Sequence, residues 1–311
     1  MTIRLPVREY EAMDEQLLAF LSYLQQEYQY SENTIAAYRN DLHQFMEYLE
    51  RLAGTSLSSW ADVTETDIQT YLTHMKHKDQ PYASSTIARK VAAIKSFFNY
   101  LTAQAVVDDN PTIEIESPKV KKRLPQTLNP SEVERLLEAP AAGDSAKNLR
   151  DVSLLNVLYE TGMRVTEVVS LQLEDVDVER ATLSSPTRQG EARAIPIAET
   201  TLTHLTHYLA HGRPHLATDP GERALFLNHR GEKLTRQGLW LIIKGYARQA
   251  GLNTDVTPHT LRHSFAVHRL SRGLKLEEIQ HLLGHANIST TQIYAQMEAS
   301  DEESPAATTA D

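Results

Sequence analysis

Between Asp108 and Leu128 the chain carries Pro111, Pro118 and Pro125 around the basic residues Lys119, Lys121, Lys122 and Arg123, and this stretch constrains everything on either side. Proline fixes φ, lacks an amide donor and holds the residue before it extended, so no helix runs through such a segment. The chain is therefore expected to fold as two bodies, residues 1–107 and 129–299, joined by an extended linker at 108–128. Its 311 residues agree, since a single domain has a prior of ~150. The basic linker reads equally as a soluble hinge or as a segment lying along a phosphate backbone.

Both bodies are patterned mainly for helix. Ile35, Tyr38, Leu42, Phe45, Met46 and Leu49 fall on one face of an amphipathic segment, with Ser31 and Asn33 supplying capping chemistry ahead of it. Ser84 and Ser85 precede a second segment whose stripe is Ile87, Val91, Ile94, Phe98 and Leu101. Arg89, Lys90 and Lys95 lie off that stripe, as a solvated face or as contacts to DNA. Shorter helices around Glu15–Tyr28 and Glu65–Lys76 complete the first body.

In the second body, Pro130 and Ser131 open a helix through Leu137, and a longer one, Leu149–Glu160, ends at Thr161-Gly162. Glycine suits the left-handed position that closes a helix. Val176–Leu183 and Arg193–Ile197 read as two strands around a polar turn containing Gln189-Gly190. Helices follow at Thr200–Ala210, Arg236–Ala250, Pro258–Ser271, Leu276–Leu283 and Ser289–Met297. The expected fold class is mainly α, with a small antiparallel β-sheet in the C-terminal body. No internal repeat and no glycine-rich phosphate loop is present.

Composition narrows the chemistry. With no cysteine, disulfides, thiolate metal sites and a cysteine nucleophile are excluded. The net charge of −10 argues against nucleic acid, yet Glu298, Asp301, Glu302, Glu303 and Asp311 crowd the end of the chain without a basic residue. Screening confines fields to about 8–10 Å at physiological salt, so local basic patches can still hold phosphate. Residues 300–311 are expected to form an acidic, disordered tail. The chain has no run of ~18 apolar residues and no signal-peptide core, which predicts a cytoplasmic protein away from membranes.

Three stretches carry candidate chemistry. TGMRVTE (161–167) puts Arg164 just past a glycine helix stop, with Glu167 three residues on to buttress it. HTLRHSFAVH (259–268) places His259 and Arg262 on one helical face. His259 and His263 are also four apart, which raises a metal site, but no third ligand is in register and no metal is expected. His263 and His268 read as structural. LGHANISTTQIY (283–294) sets His285 after a glycine and Tyr294 on the following helix. Two arginines, two histidines and a tyrosine suffice to attack a phosphodiester without metal: arginines stabilise the phosphorane, histidines move protons, and tyrosine forms the phosphoester.

Together the three motifs resemble the signature of the tyrosine recombinases, the integrase-type DNA strand-exchange enzymes. The resemblance extends over about residues 13–297, and SENTIAAYRNDLHQFMEYL and SSTIARKVAAIKSFFNYL resemble the family's core-binding domain. A short chain without an arm-site domain ahead of residue 13 is most similar to the Xer branch, which resolves chromosome dimers. The resemblance implies a two-domain DNA clamp with a helical core-binding domain at 1–107 and a catalytic domain at 129–299. It further implies that Tyr294 is the nucleophile, that Arg164 and Arg262 clamp the scissile phosphate, that His259 helps activate the tyrosine, and that His285 donates to a non-bridging oxygen. The implied partners are a double-stranded DNA site and a homo- or hetero-tetramer, with a paralogous recombinase in the mixed case. No cofactor is implied.

One departure stands out. The family places a lysine in the turn between two strands as general acid, and SSPTRQGEARAIPI (184–197) brings Arg188 to that position. No lysine occurs between Lys147 and Lys233. Arginine keeps the charge but gives up a proton poorly. The expectation is slower cleavage, or a normal enzyme in which another group or water supplies the proton. Two other classes compete: a DNA-binding relative with weak or partner-dependent strand exchange, and a metal-dependent hydrolase built on the histidines.

Overall fold

In the computed structural model, described here for residues 7–51, 59–77, 79–120, 124–186, 192–285 and 287–302, the chain divides into two compact units, Met1–Lys122 and Arg123–Asp311. No helix among the described residues is long and apolar enough to cross a membrane.

The first unit holds α1 (Val7–Glu27), α2 (Glu32–Arg51), α3 (Glu65–His77) and α4 (Ser84–Ala103). Leu42, Phe45 and Leu49 of the first expected stripe and Val91, Ile94 and Phe98 of the second are buried in one core. Its aromatic centre brings in residues outside the stripes: Phe20 lies 5.2 Å from Phe97, and Trp60 4.8 Å from Phe97, ring to ring. The buried indole is satisfied, since Trp60 Nε1 donates to the Met13 carbonyl at 3.0 Å.

Two expectations need correction here. Lys90 is not on a free face; it is 2% exposed, with Nζ donating to Asp41 Oδ1 at 2.9 Å and to Gln44 Oε1 at 2.7 Å. The cause is Asp41, 1% exposed on the facing helix α2, because a buried carboxylate requires a paired cation. Lys90 is thereby removed from the DNA-facing cations. Likewise, the 108–128 segment is not extended throughout: Thr112 and Ile115 are buried, and Ile115 joins the first unit's core.

The second unit begins with α5 (Pro130–Glu138), which Asn129 and Glu132 close in a reciprocal capping box. Next, α6 (Ala146–Thr161) buries Leu154, Leu155, Val157 and Leu158 and forms the spine of the unit. After α7 (Val165–Val168) come three strands rather than the expected two: β1 (Val176–Asp177), β2 (Thr182–Pro186) and β3 (Ala192–Pro196), antiparallel in that order. A turn interrupts the first run, where Asp177 Oδ1 accepts from the Arg180 amide and Ala181 takes φ 50°. Along β3, Arg193 and Ile195 point inward, opposite Ser185 and Leu183 of β2.

The remaining helices are α8 (Glu199–His207), α9 (Arg213–Leu216), α10 (Arg236–Gln249), α11 (Pro258–Ser271), α12 (Leu276–Leu283) and α13 (Gln292–Glu302). A π turn at Tyr208–Gly212 splits the expected 200–210 helix from α9. The last helix starts later than expected, after a 3-10 turn at Ile288–Thr290, and continues to Glu302, three residues into the stretch expected to be disordered. The rest of that tail lies outside the described residues.

Candidate active site

Two glycine helix stops build the site. Gly162, at φ 57°, ends α6, and a Cβ there would fall 2.5 Å from the Phe265 ring. Gly284, at φ 61°, ends α12, and a Cβ there would run into the Arg193 guanidinium. Both positions need the left-handed conformation and the missing side chain. The chain turns at Gly162 to deliver Arg164, and at Gly284 to deliver His285.

Arg262, from α11, ties the two turns together. Its guanidinium donates to the Gly162 carbonyl, to the Leu283 carbonyl at 2.7 Å and to His285 Nε2 at 3.0 Å. Arg164 donates to the Gly284 carbonyl at 3.0 Å and to Glu167 Oε1 at 3.2 Å, while Glu167 Oε2 accepts from the Arg164 amide at 2.6 Å. A third arginine completes the cluster: Arg193 contacts both Glu167 oxygens at 3.3 Å. Arg164 and Arg193 thus share the Glu167 carboxylate, and with Arg262 beside them the cluster carries surplus positive charge, which suits it to an anion such as a phosphodiester.

His285 is locked by both nitrogens. Nε2 takes the Arg262 bond, and Nδ1 lies 2.9 Å from Thr291 Oγ1. Burial first, then the Arg262 and Arg164 charges, push its pKa down to about 4. Burial, followed by Arg164, pushes Arg262 down to about 10. Arg262 still carries its charge at neutral pH, and His285 is neutral.

Tyr294 is 2% exposed, in a cluster with Phe265, Ile279, Leu283 and Met297. Its hydroxyl pairs with His263 Nδ1 at 2.9 Å. Burial raises the phenol's pKa, opposed by Arg262 and Arg164. His263 is pushed down to about 4, by burial and then by His259 and Arg262. His259 itself is exposed and stacks on His263, centroids 6.4 Å apart.

The structure therefore brings Arg164, Arg262 and His285 into one bonded cluster and carries Tyr294 on the adjoining α13. It separates His259 from the tyrosine hydroxyl, whose partner among the described residues is His263. His263 and Arg193 are the site residues that sequence reasoning missed. His268, by contrast, is structural, with Nδ1 2.8 Å from the Tyr159 hydroxyl. No group of three or more His, Asp or Glu side chains among the described residues is placed to hold a metal ion. Arg188, Lys121, Lys122 and Arg123 lie outside the described residues. Of the other basic candidates, Lys119 is exposed, Lys95 half-buried, and Arg89 half-exposed beside Asp41.

The depressed histidines predict a pH dependence of stability. Between the usual 6.5 and about 4, the unfolded chain binds protons at His263 and His285 that the folded chain refuses, so stability falls as pH falls through this window. Thermal melts at pH 7, 5.5 and 4.5 are expected to show a smaller acid-induced drop in Tm for the His263→Gln, His285→Gln double variant than for the wild type. Parallel drops in the two proteins count against the buried neutral histidines.

Comparison with known proteins places these features in context. The sequence model described as "Phage integrase family" matches residues 126–301, and that described as "Phage integrase, N-terminal SAM-like domain" matches residues 17–105. The chain is similar to the tyrosine recombinase XerC of Roseiflexus castenholzii, 48% identical over 94% of this chain and 92% of that protein. It is also similar to the tyrosine recombinase XerD of Listeria innocua, 38% identical over 92% and 95%. Among solved structures, the XerH site-specific recombinase bound to a palindromic difH substrate, in a post-cleavage complex, shares the fold. Its TM-score is 0.72 at 23% identity, over 87% of this chain and 78% of that one.

Proposed function

Because the chain belongs to the phage integrase family and is a tyrosine recombinase, we propose that it exchanges DNA strands at a specific site through a covalent link from Tyr294 to the 3′ phosphate. The observation that carries this reading is the arginine cluster bonded across the two glycine turns, with His285 inside it and Tyr294 on the next helix. Arg164 and Arg262 hold the non-bridging oxygens of the scissile phosphate. Since both of their guanidiniums are already fixed by backbone carbonyls, little reorganisation accompanies the rise of charge on the phosphorane. His285, neutral with Nδ1 on Thr291, turns Nε2 from Arg262 to the phosphate through its second tautomer or its protonated form.

The bond between the Tyr294 oxygen and phosphorus forms as the bond to the 5′ oxygen breaks. The phenol loses a proton, and the leaving 5′ oxygen gains one. Ligation runs the same exchange backwards with an incoming 5′ hydroxyl, so the bond energy is conserved and no ATP is consumed. We assign core-site DNA binding to residues 1–107, catalysis to 129–299, and phosphate contact to Arg89, Lys95 and the basic segment Lys119–Arg123. Two duplexes exchanged through a Holliday junction require four active sites, hence a tetramer, formed by this chain alone or with a paralogue. Chromosome dimer resolution in the cytoplasm is the setting we favour.

The test is a nicked duplex carrying a candidate chromosomal site, from which the short 5′ fragment diffuses away after attack. A protein–DNA adduct that survives denaturation supports the reading. A clear bandshift with no adduct points instead to a DNA-binding relative that exchanges strands weakly or with a partner, the reading that Arg188 favours. Arg188→Lys supplies a proton donor where arginine gives one up poorly. It is expected to raise adduct formation about 10²-fold or more, within the 10²–10⁴ typical of general acid catalysis. An unchanged rate assigns the proton to another group.

A further inference from the structure

The His263–Tyr294 pair is a part of the site that the expected catalytic set does not use. Tyr294 is 2% exposed, so its hydroxyl is shielded from bulk water, and His263 Nδ1 stands 2.9 Å from it. The rings are 5.6 Å apart and inclined at 52°, which brings the imidazole edge to the phenol oxygen rather than stacking the two faces. His263 follows Arg262 directly in α11, so one helix carries both the phosphate clamp and the group touching the nucleophile. His259, the residue expected to activate the tyrosine, is exposed one turn away and touches His263 instead.

We propose that His263 is the catalytic base of the cleavage step, accepting the Tyr294 phenol proton at Nδ1 as the phenol oxygen bonds to phosphorus. This rests on the function proposed above and names a residue within it. The neutral ring with its proton on Nε2 accepts at Nδ1, and the phenol O–H donates. As the Tyr294 oxygen–phosphorus bond forms, the proton passes to Nδ1 and gives an imidazolium, while the 5′ oxygen leaves with the phosphorus–oxygen electron pair and takes a proton from water or from a protonated side chain on its own side of the phosphate. In ligation the imidazolium returns its proton to the departing Tyr294 oxygen.

The charged and titratable groups facing His263 are His259 and Arg262 from α11, Tyr294 from α13, and His285 from the turn after α12. In the free protein burial first, then His259 and Arg262, keep the ring unprotonated at neutral pH, ready to accept. A phosphodiester seated on the arginines brings negative charge beside the ring, which favours the imidazolium. His259, stacked on the outer side, is left a supporting role in this scheme.

The experiment measures adduct formation on the nicked duplex for the wild type, His263→Asn, His263→Gln and His259→Gln, each with tyrosine or a ring-fluorinated tyrosine at position 294. Asparagine can keep a hydrogen bond to the phenol but cannot take its proton. His263→Asn and His263→Gln are expected to slow cleavage about 10²-fold or more, in the range of general base catalysis, with DNA binding retained. Above the pKa of the fluorinated phenol, where the nucleophile is already ionised, most of that loss is expected to be recovered. His259→Gln is expected to cost much less.

Overturning results are a His263→Asn enzyme as fast as or faster than wild type, or a slow one that the acidified phenol does not rescue. The first means that the contact only parks the hydroxyl; the second means a structural role. An adduct that persists in Tyr294→Phe defeats the proposed function itself, and so is distinguishable from failure of the base.

Discussion

Tyr294→Phe is expected to bind DNA like the wild type and to form no covalent adduct at all. The substitution deletes one oxygen and preserves the ring that packs with Phe265, Ile279, Leu283 and Met297. The arginine cluster that meets the phosphate makes no hydrogen bond to Tyr294 among the described contacts, so the phosphate seat survives. The lost hydroxyl leaves His263 Nδ1 without its partner in a half-buried site. A lost intramolecular hydrogen bond costs about 1 kcal/mol, and in a domain of this size Tm moves by roughly 2–4 °C for each kcal/mol. Three readouts therefore separate: bandshift unchanged, melt lowered by a few degrees, adduct absent. With no cysteine in the chain, a residual adduct would require a serine, threonine, histidine or other tyrosine to attack, and its appearance would remove Tyr294 from the mechanism.

The site was legible in the sequence wherever its geometry is local. Gly162 followed by Arg164, and Gly284 followed by His285, are helix stops that deliver a side chain one or two residues later, and spacing alone carries that information. His263 was not legible, because its partner lies 31 residues away on α13, across a turn no periodicity describes. Arg193 did leave a signal: in β3 it alternates with Ile195, and a cation on the inward face of a strand demands a buried anion, here Glu167. Lys90 is the same lesson in the first unit, where a stripe drawn from apolar residues alone misplaced a lysine held inside by Asp41.

The fold divides in the same way. Long amphipathic helices were readable from their 3.6-residue period, and the two errors in continuous elements came from backbone features without a sequence mark. Ala181 takes a left-handed turn with neither glycine nor asparagine, which broke one expected strand into β1 and β2. The π turn at Tyr208–Gly212 lies directly between α8 and α9, with helical backbone at His207 before it and at Arg213 after it. There Gly212 presses on the Tyr208 ring, where a Cβ would lie 2.8 Å from Cδ2. Packing against Tyr208 accompanies the second break, whereas the first is held locally by the Asp177 bond to the Arg180 amide.

Arg262 is expected to be the residue whose loss damages the protein most broadly. Arg262→Ala removes the donors to the Gly162 and Leu283 carbonyls and to His285 together. A buried acceptor left without a partner costs about 1–3 kcal/mol, so two such carbonyls predict a Tm lower by roughly 4–24 °C. Catalysis is expected to fall further than folding explains, by at least ~10³-fold in adduct formation, because removing one preorganised donor to a developing oxyanion costs 10²–10³-fold and Arg262 also orients His285. Arg262→Lys separates charge from geometry. An ammonium restores the positive charge but cannot span two carbonyls and an imidazole with one planar fork. It is therefore expected to recover most DNA affinity and little of the cleavage rate when adducts are measured at saturating DNA and well below the variant's Tm. A lysine variant that cleaves at the wild-type rate would mean that the bonds across the two glycine turns only brace the fold, and that charge at this position is all the phosphate requires.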